Sequence, residues 1–86
     1  MTVYFMGHVQ GVGFRYSTHQ LATGFEVVGA VENLPDGRVL LLTEGEEEEL
    51  RAFLTTIEES HLSSHIRQKE VLWAEPKGGF SGFKIK

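Results

Sequence analysis

Strand-like and helix-like segments alternate along this chain in a definite order, and that order constrains the fold more than any other feature. The sequence predicts strands at Thr2–Val9, Phe25–Asn33, Arg38–Glu44 and Ile66–Ala74, helices at Phe14–Thr23 and Glu46–Ser60, and a short closing strand within Phe80–Ile85. The order is therefore βαββαβ followed by one short strand. Two amphipathic helices can bury their apolar sides against one face of a mainly antiparallel sheet. We therefore predict an α+β fold of the ferredoxin-like type, a two-layer α/β sandwich with both helices on one face.

The second helix carries the clearest pattern. Its apolar residues recur at i, i+3, i+4 and i+7, as Leu50, Phe53, Leu54 and Ile57. Four glutamates, Glu46 to Glu49, open the same segment. They lie where the helix dipole is positive, and successive helical residues do not surround a Ca²⁺ ion as loop ligands do. The acidic run therefore indicates a solvated helix start.

The chain has 86 residues, 41% of them hydrophobic, and no cysteine. This length predicts a single domain over residues 1–86 whose core must be efficient. The lack of cysteine excludes disulfides, thiolate nucleophiles and cysteine-based zinc sites. No apolar run is long enough to span a membrane, and no signal-like segment opens the chain. We expect a cytoplasmic monomer without contact to membranes.

The charge balance argues against a general nucleic-acid binder. Eight basic and twelve acidic residues give a net charge of −4. Proteins that bind nucleic acid usually show the opposite balance. If the ligand is an anion, a local arrangement and not the global field must attract it.

The strongest local feature is the segment Gly7-His8-Val9-Gln10-Gly11-Val12-Gly13-Phe14-Arg15, which joins a strand to a helix. Glycines at 11 and 13 allow a sharp turn and a close approach of the backbone to a ligand. Successive N–H groups in such a turn, followed by a helix start, can form an anion site. Arg15 adds a guanidinium suited to phosphate oxygens.

Two other phosphate motifs do not fit this loop. The Walker pattern ends in Gly-Lys-Ser/Thr, which is absent, and a dinucleotide fingerprint needs glycine where Tyr16 stands. From the loop alone, a purely structural glycine-rich turn between strand and helix remains open.

The same segment resembles the first signature of the acylphosphatase family, G-x-V-Q-G-V-x-F-R. The match is complete from Gly7 to Arg15, and just before it Phe5 stands where an aliphatic residue is usual. A second family signature is matched at Gly29, Val31, Asn33, Gly37, Val39 and Gly45. The closing residues 79–85 also resemble the family's ending, so the resemblance covers essentially the whole chain.

Two positions depart from the second signature. Ala30 stands where an aromatic residue is usual, and Glu32 where a basic or neutral one is usual. Strand alternation predicts that Glu32 points to the face opposite Asn33. These departures bear on substrate affinity more than on the type of reaction.

The resemblance implies hydrolysis of acyl phosphates to a carboxylate and inorganic phosphate. It assigns Arg15 as the phosphate clamp and Asn33 as the residue that orients the attacking water. The resemblance also assigns phosphate binding to the loop, made of His8, Val9, Gln10, Gly11, Val12, Gly13 and Phe14. We expect no metal and no cofactor, and a small-molecule acyl phosphate as the substrate.

Other polar and aromatic residues carry weaker signals. His61 and His65 are four positions apart, but Ser63 and Ser64 indicate that the helix has ended, so we expect no metal pair. Ser17 and Thr18 show no His/Asp partner pattern. We assign Trp73 to the core, and His8 and His19 to peripheral positions.

Two other functions stay open. The first is a non-catalytic or carbamoyl-phosphate-handling domain, because the N-terminal domain of hydrogenase-maturation carbamoyltransferases looks similar. The second is an RNA-binding module, because RNA-recognition domains share the βαββαβ order. That module needs exposed aromatics on a basic sheet. The strand Arg38-Val39-Leu40-Leu41-Leu42 does not offer them.

Overall fold

A five-stranded sheet with two helices packed against one face forms the molecule. The computed structural model describes residues 1–86. The elements are β1 (Thr2–Gly7), α1 (Phe14–Ala22), β2 (Val27–Asn33), β3 (Val39–Gly45), α2 (Glu47–Glu59), β4 (Ile66–Leu72) and β5 (Phe83–Ile85). This order confirms the predicted βαββαβ arrangement with a short additional strand. The fold is ferredoxin-like, with ends that differ from the predicted ones by up to three residues.

The strand order in the sheet is β4-β1-β3-β2-β5. β1 lies between β4 and β3, and β2 pairs with β3; all three pairings are antiparallel. β5 pairs in parallel with β2, which makes the sheet mixed. Because β1 and β2 both run antiparallel to β3, their carboxyl ends reach the same edge of the sheet. The loop after β1 and the end of β2 therefore meet there.

The core lies between the sheet and the two helices. Its buried residues come from both layers: Met1, Val3, Phe5, Val9, Phe14, Ala22, Val31, Val39, Leu41, Leu50, Phe53, Leu54, Ile57 and Leu62. Phe53 of α2 is central, with ring centroids 5.6 Å from Phe25 and 5.9 Å from Phe83. Phe14 at the start of α1 lies 5.1 Å from Phe5 of β1. This aromatic contact fixes the start of α1 against the sheet.

A short 3-10 helix, His61–His65, follows α2 and was not predicted. The Ser60 side chain accepts a hydrogen bond from the Leu62 backbone N–H at its start, and Leu62 is fully buried. The tight turn thus satisfies a backbone donor and fills the core at the same time.

The fold nowhere brings three or more His, Asp or Glu side chains into a metal-binding group.

The assignment of Trp73 to the core is wrong. β4 ends at Leu72, and Trp73 beyond it is 43% exposed. The Arg51 guanidinium lies over its ring, 4.7 Å from the centroid. An edge strand that ends early leaves its next residue without a covering layer, so the indole packs against the Arg51 cation at the surface instead.

Neither helix is both long enough and apolar enough to cross a bilayer.

Candidate active site

The loop between β1 and α1 is shaped by two glycines. Gly11 and Gly13 have φ angles of +77° and +76°, in the left-handed region that residues with a Cβ rarely adopt. Gly13 is also the residue that precedes the first turn of α1. The chain therefore turns twice within three residues and enters the helix directly from the loop.

The backbone N–H groups from Val9 to Tyr16 donate to no other group of the protein. The flanking residues do take part, since His8 N–H donates to the His65 carbonyl and Ser17 N–H donates to the Gly13 carbonyl, both at 3.0 Å. The unengaged run includes the loop and the first turn of α1. Free N–H groups at a helix start, together with the positive end of the helix dipole, favour an anion.

A cavity of about 190 Å³ opens at this loop. It is lined by Val9, Gly11, Gly13, Phe14, Arg15, Tyr16, Asn33 and Ile85. The structure thus brings Arg15 from α1 and Asn33 from β2 to one concave surface. No carboxylate or imidazole lines it, so Arg15 is the charged group of the cavity.

The guanidinium of Arg15 is held by Lys86, the residue that follows the edge strand β5. Its Nη1 donates to the Lys86 carbonyl oxygen at 2.5 Å, across 71 positions of sequence. Lys86 is itself fixed, since its N–H donates to the Val31 carbonyl at 2.9 Å. Arginine has five N–H donors in a planar fork, so this contact leaves the others available to oxygen atoms of a ligand.

Asn33 is the last residue of β2 and pairs with Val39 across the hairpin. The hydrogen bonds among side chains and backbone do not include its side-chain amide, so both its donor and acceptor are available at the cavity. Glu32 pairs with Leu40, which pairs in turn with Tyr4 of β1. This regular register confirms that Glu32 lies on the face opposite Asn33 and points away from the cavity.

Gln10 has a role that its place in the loop did not indicate. Its side-chain Nε2 donates to the carbonyls of Leu34 at 2.8 Å and Arg38 at 3.0 Å. Both acceptors belong to the turn between β2 and β3. Gln10 therefore ties the glycine loop to the turn that begins next to Asn33.

Three of the loop residues singled out in the sequence do not line the cavity. Gln10 points to the hairpin turn, Val12 packs half-buried against the core, and His8 lies outside with its ring 6.1 Å from that of His65. The structure places their side chains away from the cavity. Only their backbone groups remain candidates for contact with a ligand.

Ser17 does have a histidine partner, contrary to the expectation from the sequence. Its Oγ lies 3.1 Å from Nε2 of His61, and the pair is exposed. No carboxylate is hydrogen-bonded to His61, so the three-residue arrangement of a serine hydrolase is not formed. The two residues are 44 positions apart, a separation at which no local spacing can reveal a contact.

Sequence reasoning missed two residues that line the cavity, Tyr16 and Ile85. Tyr16 entered the sequence argument only as a position that lacks glycine. Ile85 reaches the cavity because β5 pairs in parallel with β2, opposite Val31. For Tyr16, the sequence signal was its place directly after Arg15 in the first turn of the predicted helix. For Ile85, the sequence carried no such signal.

A larger cavity, of about 540 Å³, lies at the other end of the sheet. It is bordered by the start of β1, the end of β3 and three glutamates, Glu44, Glu47 and Glu75. Carboxylates repel a phosphate, so the smaller cavity with Arg15 is the candidate anion site.

Comparison with known proteins gives a consistent result. A family model described as acylphosphatase matches residues 1–85. The acylphosphatase of Caldanaerobacter subterraneus subsp. tengcongensis is 40% identical over 79 residues, covering 92% of this chain and 88% of that protein. The crystal structure of acylphosphatase from Bacillus subtilis has a TM-score of 0.89 at 33% identity, covering 99% of this chain and 94% of that one. The crystal structure of HypF from T. kodakarensis has a TM-score of 0.84 at 29% identity.

The last of these relatives differs in scale. The match covers 99% of this chain but only 11% of HypF. The Bacillus subtilis acylphosphatase, by contrast, is matched over nearly its whole length. On the family model and on the identity shared with its relatives, this chain belongs to the acylphosphatase family of acyl-phosphate hydrolases.

Proposed function

We propose that the cavity at the glycine loop is where this enzyme hydrolyses acyl phosphates, with Arg15 and the loop amides holding the phosphate and Asn33 orienting the water. One observation carries the proposal. A continuous run of unengaged N–H groups, from Val9 to Tyr16, adjoins the same cavity as the Arg15 guanidinium. Together they offer an oxyanion many donors and one positive charge.

The reaction needs little covalent chemistry from the protein. Water attacks phosphorus, the bond between phosphorus and the bridging oxygen breaks, and the products are a carboxylate and inorganic phosphate. Phosphoryl transfer is accelerated mainly by positioning and by stabilisation of charge on the phosphoryl oxygens. The loop amides and Arg15 supply donors for those oxygens, and they are fixed before the substrate arrives.

The leaving group explains why no strong general acid is required. A carboxylate is a weak base, so it departs without a proton. The cavity lining contains no carboxylate or imidazole to accept the proton of the water. That proton passes to the phosphate oxygens of the substrate itself, while the free side-chain amide of Asn33 holds the water in line.

The same chemistry makes the proposed reaction independent of a metal ion. Arg15 and the positive end of α1 take the part that a cation plays in other phosphoryl transfers. We further propose that residues 1–86 act as one monomeric unit in the cytoplasm, on a small-molecule substrate and without nucleic acid.

The likeness to HypF supports a second candidate. By the resemblance to the N-terminal domain of hydrogenase-maturation carbamoyltransferases, the cavity would then receive carbamoyl phosphate, whose acyl part is small and polar. Both candidates share the phosphate site and differ in the acyl group. Measuring phosphate release from carbamoyl phosphate alongside acetyl phosphate and benzoyl phosphate therefore distinguishes the two candidates.

The proposal is tested by phosphate release from acetyl phosphate, benzoyl phosphate and a phosphate monoester, each with and without a chelator. We expect turnover of the acyl phosphates, little turnover of the monoester because its alkoxide leaves poorly, and no effect of the chelator. Reversible loss of activity in chelator, or cleavage of the monoester as fast as the acyl phosphates, would show the mechanism to be wrong.

A further inference from the structure

Two exposed apolar side chains border the anion cavity. Tyr16 is 64% exposed and Ile85 is 44% exposed, and both line the same cavity as Arg15 and Asn33. Single exposed apolar residues are ordinary on a protein surface. Two of them at the rim of a polar, positively charged cavity form an apolar surface next to the polar one.

The two residues come from different elements. Tyr16 follows Arg15 in the first turn of α1, whereas Ile85 lies on β5, opposite Val31 of β2. Their meeting is a consequence of the packing of α1 beside the edge of the sheet. The position of Ile85 is fixed further by its neighbour Lys86, which bonds both Val31 and Arg15.

The lining of the cavity divides by polarity. Four of its eight residues are hydrophobic. Val9 and Phe14 are buried and form its floor, so Tyr16 and Ile85 provide the accessible apolar surface. The polar half consists of the glycine backbone, Arg15 and Asn33, and it contains no negative charge. A ligand that fits both halves carries an oxyanion at one end and an uncharged apolar group at the other.

We infer that Tyr16 and Ile85 form the subsite for the acyl group and that it favours neutral, apolar acyl groups, aromatic ones above all. The inference rests on the proposed function, in which the phosphate occupies the polar half. A phenyl ring can pack against the tyrosine ring and the isoleucine side chain, and each such contact removes apolar surface from water. An acetyl group has one methyl and gains little from the same surface.

This subsite acts on binding more than on the chemical step. The acyl group touches the rim in the bound substrate and in the transition state alike. Uniform contacts of this kind lower KM and leave kcat nearly unchanged. The expected signature is therefore a KM effect that depends on the acyl group.

The test compares acetyl phosphate with benzoyl phosphate for the variants Tyr16→Ala and Ile85→Ser. We expect KM for benzoyl phosphate to rise about 3- to 10-fold more than KM for acetyl phosphate. Leu72→Ser is the matched control for the second variant, because Leu72 is 49% exposed on β4, the opposite edge strand. Its ratio of the two KM values should equal that of the unmodified protein.

Each other result decides against the subsite. If both substrates are hydrolysed and the variants change both KM values equally, the two residues support the phosphate site and do not bind the acyl group. A change in the ratio for Leu72→Ser as large as for Ile85→Ser would also overturn the inference. If the unmodified protein hydrolyses neither acetyl phosphate nor benzoyl phosphate, the proposed function and the subsite are both overturned.

Discussion

Arg15 and Asn33 occupy the same cavity but offer different chemistry. Arg15 carries a permanent charge, which a phosphate meets in the bound state and in the transition state. Arg15→Ala should therefore weaken inhibition by inorganic phosphate by about 10- to 100-fold and also lower kcat. Steady-state kinetics with phosphate as the inhibitor measures both effects, after circular dichroism has shown the variant to be folded. Unchanged phosphate inhibition would exclude Arg15 as the clamp.

Asn33 is uncharged and is assigned to the water, which matters chiefly as attack occurs. Asn33→Ala should leave inhibition by phosphate nearly unchanged and reduce kcat by about 10²–10³. The same inhibition and turnover measurements separate this pattern from that of Arg15→Ala. A folded Asn33→Ala protein with near-normal turnover would remove Asn33 from the mechanism and leave a binding site without its water-orienting group.

Thr18 on α1 is fully buried, and its hydroxyl has no hydrogen-bond partner in the protein. A buried polar group without a partner costs about 1–3 kcal/mol. Thr18→Val keeps the shape and removes the hydroxyl, and the two residues have similar helix propensities. The free energy of unfolding should therefore rise by about 1 kcal/mol, as measured by urea denaturation.

Thr43 provides the matched control for this substitution. It is equally buried, but its hydroxyl donates to the Val28 carbonyl at 3.0 Å. Thr43→Val should lower the free energy of unfolding by about 1 kcal/mol because a made hydrogen bond is lost. If both valine variants shift stability in the same direction, hydrogen bonding at these two sites does not determine the outcome.

At the scale of elements, the hairpin of β2 and β3 and the glycine loop behave as one unit. Gln10 bonds the turn from the loop side, and within the turn the Arg38 backbone N–H donates to Asp36 at 3.1 Å. That backbone hydrogen bond is the main cause that lowers the pKa of Asp36. The turn is thus held from within and from outside.

Gln10→Ala should detach the turn from the loop without removing any cavity-lining side chain. Because Asn33 immediately precedes the turn, we expect kcat to fall about 10-fold through loss of its positioning. Amide exchange of residues 34–38 should accelerate at the same time. Gln68→Ala, an exposed glutamine on β4, is the control. Normal exchange in the turn together with reduced kcat would contradict a role through the hairpin.

At the scale of the whole molecule, the largest acidic run and the proposed anion site lie near opposite ends of β3. The glutamates that open α2 lie near the end of β3, whereas the anion cavity lies near its start. Seven residues of strand place these ends about 20 Å apart. The Debye length at physiological salt is about 8 Å, so the acidic run has little influence at the cavity.

The same scale explains what the sequence could and could not predict. Periodicity predicted both helices, and the spacing of Gly11 and Gly13 predicted the turn into α1, because these signals are local. Contacts of Arg15 with Lys86 and of Ser17 with His61 depend on strand order and helix packing across the whole chain. The exposure of Trp73 likewise depends on where an edge strand ends, which no residue pattern marks.

The hydrogen bond between Arg15 and Lys86 has a consequence for how the protein is made. It joins residues 71 positions apart, and closing so long a loop carries an entropic cost that local structure does not. During synthesis, the glycine loop and α1 leave the ribosome before β5, which carries Ile85, and before Lys86, which holds the Arg15 guanidinium. The cavity is therefore assembled only after β5 and Lys86 have emerged, and a nascent chain that still lacks them holds the loop without the wall that completes it.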